Sequence, residues 1–209
     1  MKRLLTIGVG LLMVLAVFAE PAEYDWRAHR HDLAFGGGYW SGVYPFRSFL
    51  VTAWQNLGDN GGDVHYYGDY ALSYHYQALW WLRAGVKAQW EGDNWSFYDK
   101  EDKAKITPIG KTTNHCFSVM ASCQFTYLHR EHVKLYSGAD VGLGVFLSDK
   151  RYTDGNTNSE GKQRTTDTHF LPAFNLTAFG VSFGGRVYGL AEINLGYEAL
   201  LKLGIGCRI

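Results

Sequence analysis

The sequence is short of the residues on which many assignments depend: only three cysteines and four prolines occur among 209 residues. Its charges are balanced, with 20 lysines and arginines against 20 aspartates and glutamates, so no excess charge indicates a nucleic-acid or acidic partner. Cys116 and Cys123 lie in one predicted strand, on opposite faces and roughly 23 Å apart, so they cannot bridge each other. Their spacing matches no metal-binding pattern. We therefore expect neither a metal site nor a cofactor.

Long hydrophobic runs are also scarce, since the only one is Leu4–Phe18. It follows two basic residues and ends beside Val17 and Ala19, the small residues that a signal peptidase reads. A membrane-spanning helix is the alternative, but such a helix needs about 20 residues. The run therefore predicts a cleaved signal peptide at Met1–Ala19. If the mature protein lies in a membrane, it crosses the membrane as a closed sheet.

What the sequence has in abundance is an alternation of apolar and polar residues with a period of two. In the last segment, odd positions form an apolar face and even positions carry charge and glycine. The odd positions are Ala199, Leu201, Leu203, Ile205, Cys207 and Ile209; the even ones are Glu198, Leu200, Lys202, Gly204, Gly206 and Arg208. Side chains of a strand point alternately to its two faces, so the segment predicts a strand with one apolar face.

Eight such segments predict an all-β fold, with each strand antiparallel to the next. We place the strands at Asp32–Trp40, Gly68–Ala78, Leu82–Glu91, Cys116–Leu128, His132–Leu147, His169–Phe179, Arg186–Tyr197 and Ala199–Ile209. The first and sixth are the weakest, and Pro172 in the sixth predicts a strand start or a bulge. An N-terminal periplasmic segment, 20–31, then precedes a barrel domain, 32–209.

Long polar connections alternate with short turns, which is typical of an up-and-down barrel with long external loops. The third long connection, Asp149–Asp167, has almost no apolar residues, and we expect it to be mobile and exposed. In the first, a helical stripe predicts a short amphipathic helix at Pro45–Leu57 that packs on the rim, lies in the lipid interface or meets a partner. The stripe consists of Phe46, Phe49, Leu50, Ala53, Trp54 and Leu57.

Alternation fits a membrane barrel and a soluble, lipocalin-like periplasmic barrel equally well. The polar face favours the membrane barrel, because it is rich in small residues and its charges nearly balance. Eight strands leave a lumen that side chains fill, and charges enclosed there must pair. We therefore predict a plugged lumen with an ion-pair network of Arg83, Lys87, Glu91, Lys134, Asp140, Arg186, Glu192, Glu198, Lys202 and Arg208.

The pattern resembles the small eight-stranded outer-membrane barrels, the class of OmpX and the OmpA transmembrane domain. Phe179–Gly184 and Val187–Glu192 resemble barrel-domain proteins of Bacteroidetes-type bacteria. The resemblance implies an eight-stranded antiparallel transmembrane β-barrel in the outer membrane of a Gram-negative bacterium, reached through the signal peptide. It leaves the function open.

No complete catalytic constellation is visible, so we expect no enzyme. The His-x-Ser spacing of lipid A deacylases is absent, and His129 and His132 lie in a short turn, where they cannot converge on a metal. We favour a structural or surface-interaction role through the external loops. The alternatives are an enzyme that modifies outer-leaflet lipid, a small-solute channel and the soluble barrel. Expected partners are outer-membrane lipid, the barrel-assembly machinery and an unidentified surface partner, and no nucleic acid.

Overall fold

The computed structural model describes residues 30–38, 64–98, 108–130, 132–153, 161 and 163–209. The predicted signal peptide, residues 20–29 and the predicted first-loop helix lie outside the described residues. The residues of the predicted stripe, Phe46, Phe49, Leu50, Ala53, Trp54 and Leu57, therefore also lie outside the described residues.

Eight antiparallel strands form a closed barrel, which confirms the predicted fold class. Each strand pairs with the next along the chain, and β1 pairs with β8 to close the ring. The strands are β1 His31–Gly38, β2 Val64–Leu79, β3 Leu82–Tyr98, β4 Pro108–His129, β5 Val133–Tyr152, β6 Arg164–Gly184, β7 Val187–Gly196 and β8 Leu201–Arg208. Within the described residues, no helix has the length and apolar character needed to cross a bilayer.

The barrel has two different ends. The short connections 80–81, 130–132 and 185–186 lie at one end, with both ends of the barrel chain, and we call it the turn end. The connections 39–63, 99–107, 153–163 and 197–200 lie at the opposite end, the loop end. This arrangement follows from the up-and-down topology.

Alternation places the apolar side chains outside and the polar ones inside. Strand β5, which lies between β4 and β6, is an example. Its residues Val141 and Leu143 are 67% and 70% exposed, whereas Asp140 is only 4% exposed. Phe170, Leu203 and Ile205 are likewise exposed on the outer face. The exterior is thus an apolar surface, and the polar groups line the lumen.

The strands differ greatly in length. The seam strands β7, β8 and β1 have 10, 8 and 8 residues, whereas the wall strands β4, β5 and β6 have 22, 20 and 21. The predicted wall strands were too short, because 149–152 and 164–167 of the predicted third loop are strand. The outward-facing residues of these two segments are polar, so no alternation of apolar and polar residues could indicate that the segments are strands.

A bulge in β6 explains why the alternation of apolar and polar residues was weak in the predicted sixth strand. A register shift between Thr177 and Phe179 places Ala178 in a bulge, after which the inward positions change from odd to even. Pro172 marks neither a start nor a bulge, since it lies within β6 and pairs with Leu143. Pro172 lies beyond Asn175, the last β6 residue that pairs with β7. Its missing N–H therefore interrupts no backbone hydrogen bonding between β6 and β7.

Candidate functional site

The lumen holds charged side chains of both signs. The buried cations are Arg83, Lys87, Lys134, Lys202 and Arg208, and the buried anions are Asp32, Asp69, Glu91, Asp93, Asp140, Glu192 and Glu198. A buried charge costs several kcal/mol unless it is paired and hydrogen-bonded. The arrangement of these groups therefore decides whether the interior is stable.

Five of these residues, which we call the central cluster, come together from four strands and one turn: Lys87, Asp140, Glu192, Glu198 and Lys202. Lys87 Nζ lies 2.7 Å from Asp140 Oδ2 and 2.9 Å from Glu198 Oε1. Lys202 Nζ lies 2.5 Å from Glu192 Oε2 and 3.1 Å from Glu198 Oε2. Two ammonium groups thus share three carboxylates, and Glu198 bridges both.

Neutral groups complete the hydrogen bonding of the cluster. The Tyr136 hydroxyl donates to Glu192 Oε1 at 2.7 Å, and the Asn175 amide donates to Asp140 at 3.0 Å and to Glu198 at 3.2 Å. Charge-assisted bonds of this kind offset part of the desolvation cost of the ions. The sequence prediction missed Tyr136 and Asn175 because neither carries a charge.

The turn between β7 and β8 folds into the lumen at the loop end. Tyr197, Glu198 and Ala199 are all buried, and we call these three residues the plug. Gln89 donates to the Tyr197 carbonyl at 2.5 Å, and the Ala199 amide donates to Asp69. The predicted outward position of Ala199 is therefore wrong: the last strand begins at Leu201, and alternation does not extend through the turn.

Gly196 makes this inward turn feasible. Its φ of +136° belongs to the region that residues with a side chain rarely adopt, and a Cβ there would lie 2.5 Å from the Phe174 carbonyl oxygen. The chain can therefore leave β7 and enter the lumen directly after this residue.

A second group lies nearer the turn end. Asp32 accepts hydrogen bonds from Arg83 and from the Tyr188 hydroxyl, and Arg83 also donates to Gln124. The Arg208 guanidinium donates to Ser182 at 2.8 Å, and its Cζ lies 4.5 Å from the centroid of the Tyr188 ring. We call this group, Asp32, Arg83, Tyr188 and Arg208, the end cluster. A cation over an aromatic face is favourable.

Glycine provides room for the two inward tyrosines. Tyr136 pairs with Gly180, and Tyr188 pairs with Gly206. A Cβ on either glycine would lie within 2.4 Å of the ring. Small residues in the lumen thus let large hydrogen-bonding rings lie flat on the neighbouring strand.

The structure brings together most, but not all, of the predicted network. Glu91 is buried opposite Asp69, and Lys134 is buried opposite Ser182, so neither joins the central cluster. Arg186 was wrongly placed in the lumen, because it lies exposed in the turn between β6 and β7.

Asp32 was missed as a member of the network. It lies in the weakly patterned first strand, where glycines from Gly36 onward obscure the alternation. Its signal is nevertheless present, since Asp32 and Ala34 share the inward face while Leu33 and Phe35 are exposed.

One histidine–serine pair emerges that the sequence could not show, because its members are 47 residues apart. His75 Nε2 lies 2.7 Å from Ser122 Oγ, but both side chains are buried inside the barrel, away from the outer face that would meet lipid. This contact passes over Gly85 of β3, which pairs with both residues, and so links β2 to β4 on the inner face of the barrel. Among the described residues, no group of histidine, cysteine or acidic side chains is placed to hold a metal ion.

A closed eight-stranded ring with an apolar exterior and an ionic interior is the architecture of the small outer-membrane barrels. Among solved structures, the chain is similar to Ail, the attachment invasion locus protein of Yersinia pestis, at 13% identity over 87% of this chain and 99% of that chain, with a TM-score of 0.44. Ail in complex with the heparin analogue sucrose octasulfate gives 15% identity with the same coverages and a TM-score of 0.45.

The N-terminal β-barrel domain of Pseudomonas aeruginosa OprF is also similar, at 11% identity, covering 87% of this chain and 98% of that chain, with a TM-score of 0.41. No protein-family model matches the chain, and a comparison with curated proteins finds no match. The likeness is one of overall architecture and says nothing about a ligand or an activity.

Proposed function

We propose that this protein is an integral outer-membrane barrel of a Gram-negative bacterium, with a sealed lumen and a structural or surface-interaction role at its loop end. The observation that carries the proposal is the reversal of ordinary burial. Leu143, Phe170 and Ile205 face outward, whereas Lys87, Glu198 and Arg208 are almost completely buried. An exterior of this kind is stable in lipid and would aggregate in water.

This reversal argues against the soluble, lipocalin-like alternative. A water-soluble barrel would turn its charged face outward, yet the outward positions of β8 within the ring are Leu201, Leu203 and Ile205. The export signal predicted at Met1–Ala19 would provide the route to the outer membrane. The barrel-assembly machinery is then the expected partner during insertion.

The sealed lumen supports a role other than transport. The plug and the central cluster place buried, mutually bonded groups across the loop-end side of the lumen. A conducting path would have to break these ion pairs, which costs about 3–5 kcal/mol for each uncompensated charge. We therefore favour a non-conducting anchor.

The loop end supports the surface-interaction role, because the wall strands extend past the apolar zone. Arg151 and Arg164 have 65% and 61% of their side chains exposed there. Exposed polar strands on a rigid barrel form a surface whose shape is fixed by the ladder rather than by a loop. No observation favours the lipid-modifying enzyme, since the histidine–serine pair His75–Ser122 lies inside the sealed barrel.

Three measurements test this function. The protein should remain in the membrane pellet after carbonate washing and be released only by detergent, and recovery in free solution would overturn the proposal. In planar bilayers, the purified protein should give no conductance steps; steady steps would overturn the sealed lumen while leaving the membrane location intact. An unchanged lipid A profile in a deletion strain is expected, and loss of a modified lipid species would establish the enzyme.

A further inference from the structure

Three cations lie side by side on the outer face of the wall strands at the loop end. Lys111 on β4 pairs directly with Arg151 on β5, and Arg151 pairs directly with Arg164 on β6. All three are exposed. We call them the cationic row. Like charges directly opposite each other destabilise a sheet, so the fold gives no reason for this arrangement.

Within the described residues, the row is bonded to one carboxylate. Asp149 Oδ1 accepts from Arg164 Nε at 2.8 Å, and Asp149 Oδ2 accepts from Arg151 Nε at 2.9 Å. One negative charge against three positive charges leaves the group cationic. Guanidinium groups present several donors in a fixed plane, which suits phosphate recognition.

The outer face below the row changes character in steps. The ladder pairs Thr113 with Asp149 and Asp149 with Thr166, which gives a polar row two residues below the cations. Four residues further down lies an apolar row of Trp90, Phe117, Val145 and Phe170. From the membrane outward, the surface is thus aromatic, then polar, then cationic.

The distance between these rows indicates the size of the ligand. The cationic row lies six residues beyond the apolar row on each wall strand, which is about 20 Å along the strand at ~3.3 Å per residue. At a strand tilt of about 40–45°, this is about 15 Å along the bilayer normal. The head-group region of an ordinary leaflet is roughly 5–8 Å thick, so only a taller head group reaches the row.

We propose that the cationic row binds the phosphorylated saccharide head group of a glycolipid in the outer leaflet. The acyl chains meet the apolar row, sugar hydroxyls meet the polar row, and phosphates meet Lys111, Arg151 and Arg164. The row faces sideways from the barrel wall, where lipid is the neighbour, which favours a lipid over a soluble polyanion. This inference rests on the proposed outer-membrane location.

The test compares three forms of the protein, each purified from membranes in detergent. One carries Lys111→Gln, Arg151→Gln and Arg164→Gln; its matched control carries Lys111→Arg, Arg151→Lys and Arg164→Lys, which keeps the charge. Binding of phosphorylated lipopolysaccharide is measured by titration, beside the same lipid after phosphatase treatment. Gel mobility before and after heating shows that each form is a folded barrel.

We expect the neutral variant to bind the phosphorylated lipid about 100-fold more weakly, since each cation near an anionic surface contributes about fivefold. The charge-retaining variant should keep most of the wild-type affinity and bind far more tightly than the neutral variant, and dephosphorylation should abolish the difference between the forms. Asp149→Asn should tighten binding, because it removes the competing anion. Equal binding by the neutral variant, or capture of heparin in preference to the lipid, would overturn the inference. Either result in protein that still fractionates with membranes leaves the proposed function standing.

Discussion

The seam strands and the wall strands obey the same alternation, yet the wall strands are about twice as long. The seam stops where the chain turns inward at Gly196 and forms the plug. The wall continues outward and ends in the exposed row at Arg151. The same period-two rule therefore produces two outcomes: at the seam the chain turns into the lumen, and at the wall it continues as an exposed ladder.

This difference predicts that the two regions respond differently to substitution. Seam residues such as Glu198 and Lys202 are bonded to groups from the rest of the barrel, so their loss affects the whole molecule. The projecting part of the wall is held by its own ladder and by exposed pairs such as Asp149–Arg164. Changes there should alter what the protein binds and leave the barrel folded.

The largest expected effect on membrane assembly comes from a charge in the apolar zone of the wall. Val141→Arg places a cation on an outer position that is 67% exposed, and an arginine near the bilayer midplane costs about 2–4 kcal/mol. Thr166→Arg lies on the same outer face, beyond the apolar row, and should assemble normally. The heat-dependent shift in gel mobility reports assembly. Equal yields of folded protein would show that the two zones do not differ.

The largest expected effect on the stability against unfolding concerns the plug. Glu198→Ala removes the carboxylate that both Lys87 and Lys202 contact, and removal of one partner of a buried ion pair costs about 3–5 kcal/mol. Unfolding by guanidinium in detergent measures this loss. The matched change Asp149→Ala, in an exposed pair, should leave the unfolding midpoint unchanged. A midpoint shift of similar size in both variants would contradict the division between seam and wall.

A smaller effect is expected where an inward tyrosine lies on a glycine. Gly206→Ala in the seam strand β8 brings a Cβ to 2.3 Å from the Tyr188 ring, and overpacking of this kind costs about 1–3 kcal/mol. Gly185→Ala is the control, since a Cβ there meets nothing within 4 Å. The same unfolding measurement applies. An unaffected Gly206→Ala variant would mean that the ring moves without loss of its bond to Asp32.

The sequence predicted the number of strands, their order and their faces, because each depends on local alternation. It could not predict the plug, since Tyr197, Glu198 and Ala199 leave the strand pattern and meet partners such as Asp69 that are far away in the chain. It also missed the projecting parts of the wall, where the outward-facing residues are polar and no alternation with apolar residues is visible. Pairing across strands, as between Lys111 and Arg151, depends on register and becomes visible only in the folded barrel.

The smallest expected effect is a local loosening of the projecting wall at low pH. The hydrogen bond from Arg164, with a further bond from Arg151, lowers the pKa of Asp149, which lies two residues beyond Leu147 and outside the apolar zone. A carboxyl with a lowered pKa stabilises the folded form above its ordinary pKa of about 3.9, and this contribution is lost as the pH falls through the lowered value.

The amide of Tyr152, which donates to Gln163 at 2.8 Å, reports the local stability through hydrogen exchange. Compared with Asp149→Asn at each pH, the wild type should show greater protection at neutral pH and equal protection in acid, while whole-barrel unfolding stays the same. A pH-independent difference between the two proteins would mean that the shape of the side chain, and not its charge, holds this part of the wall together.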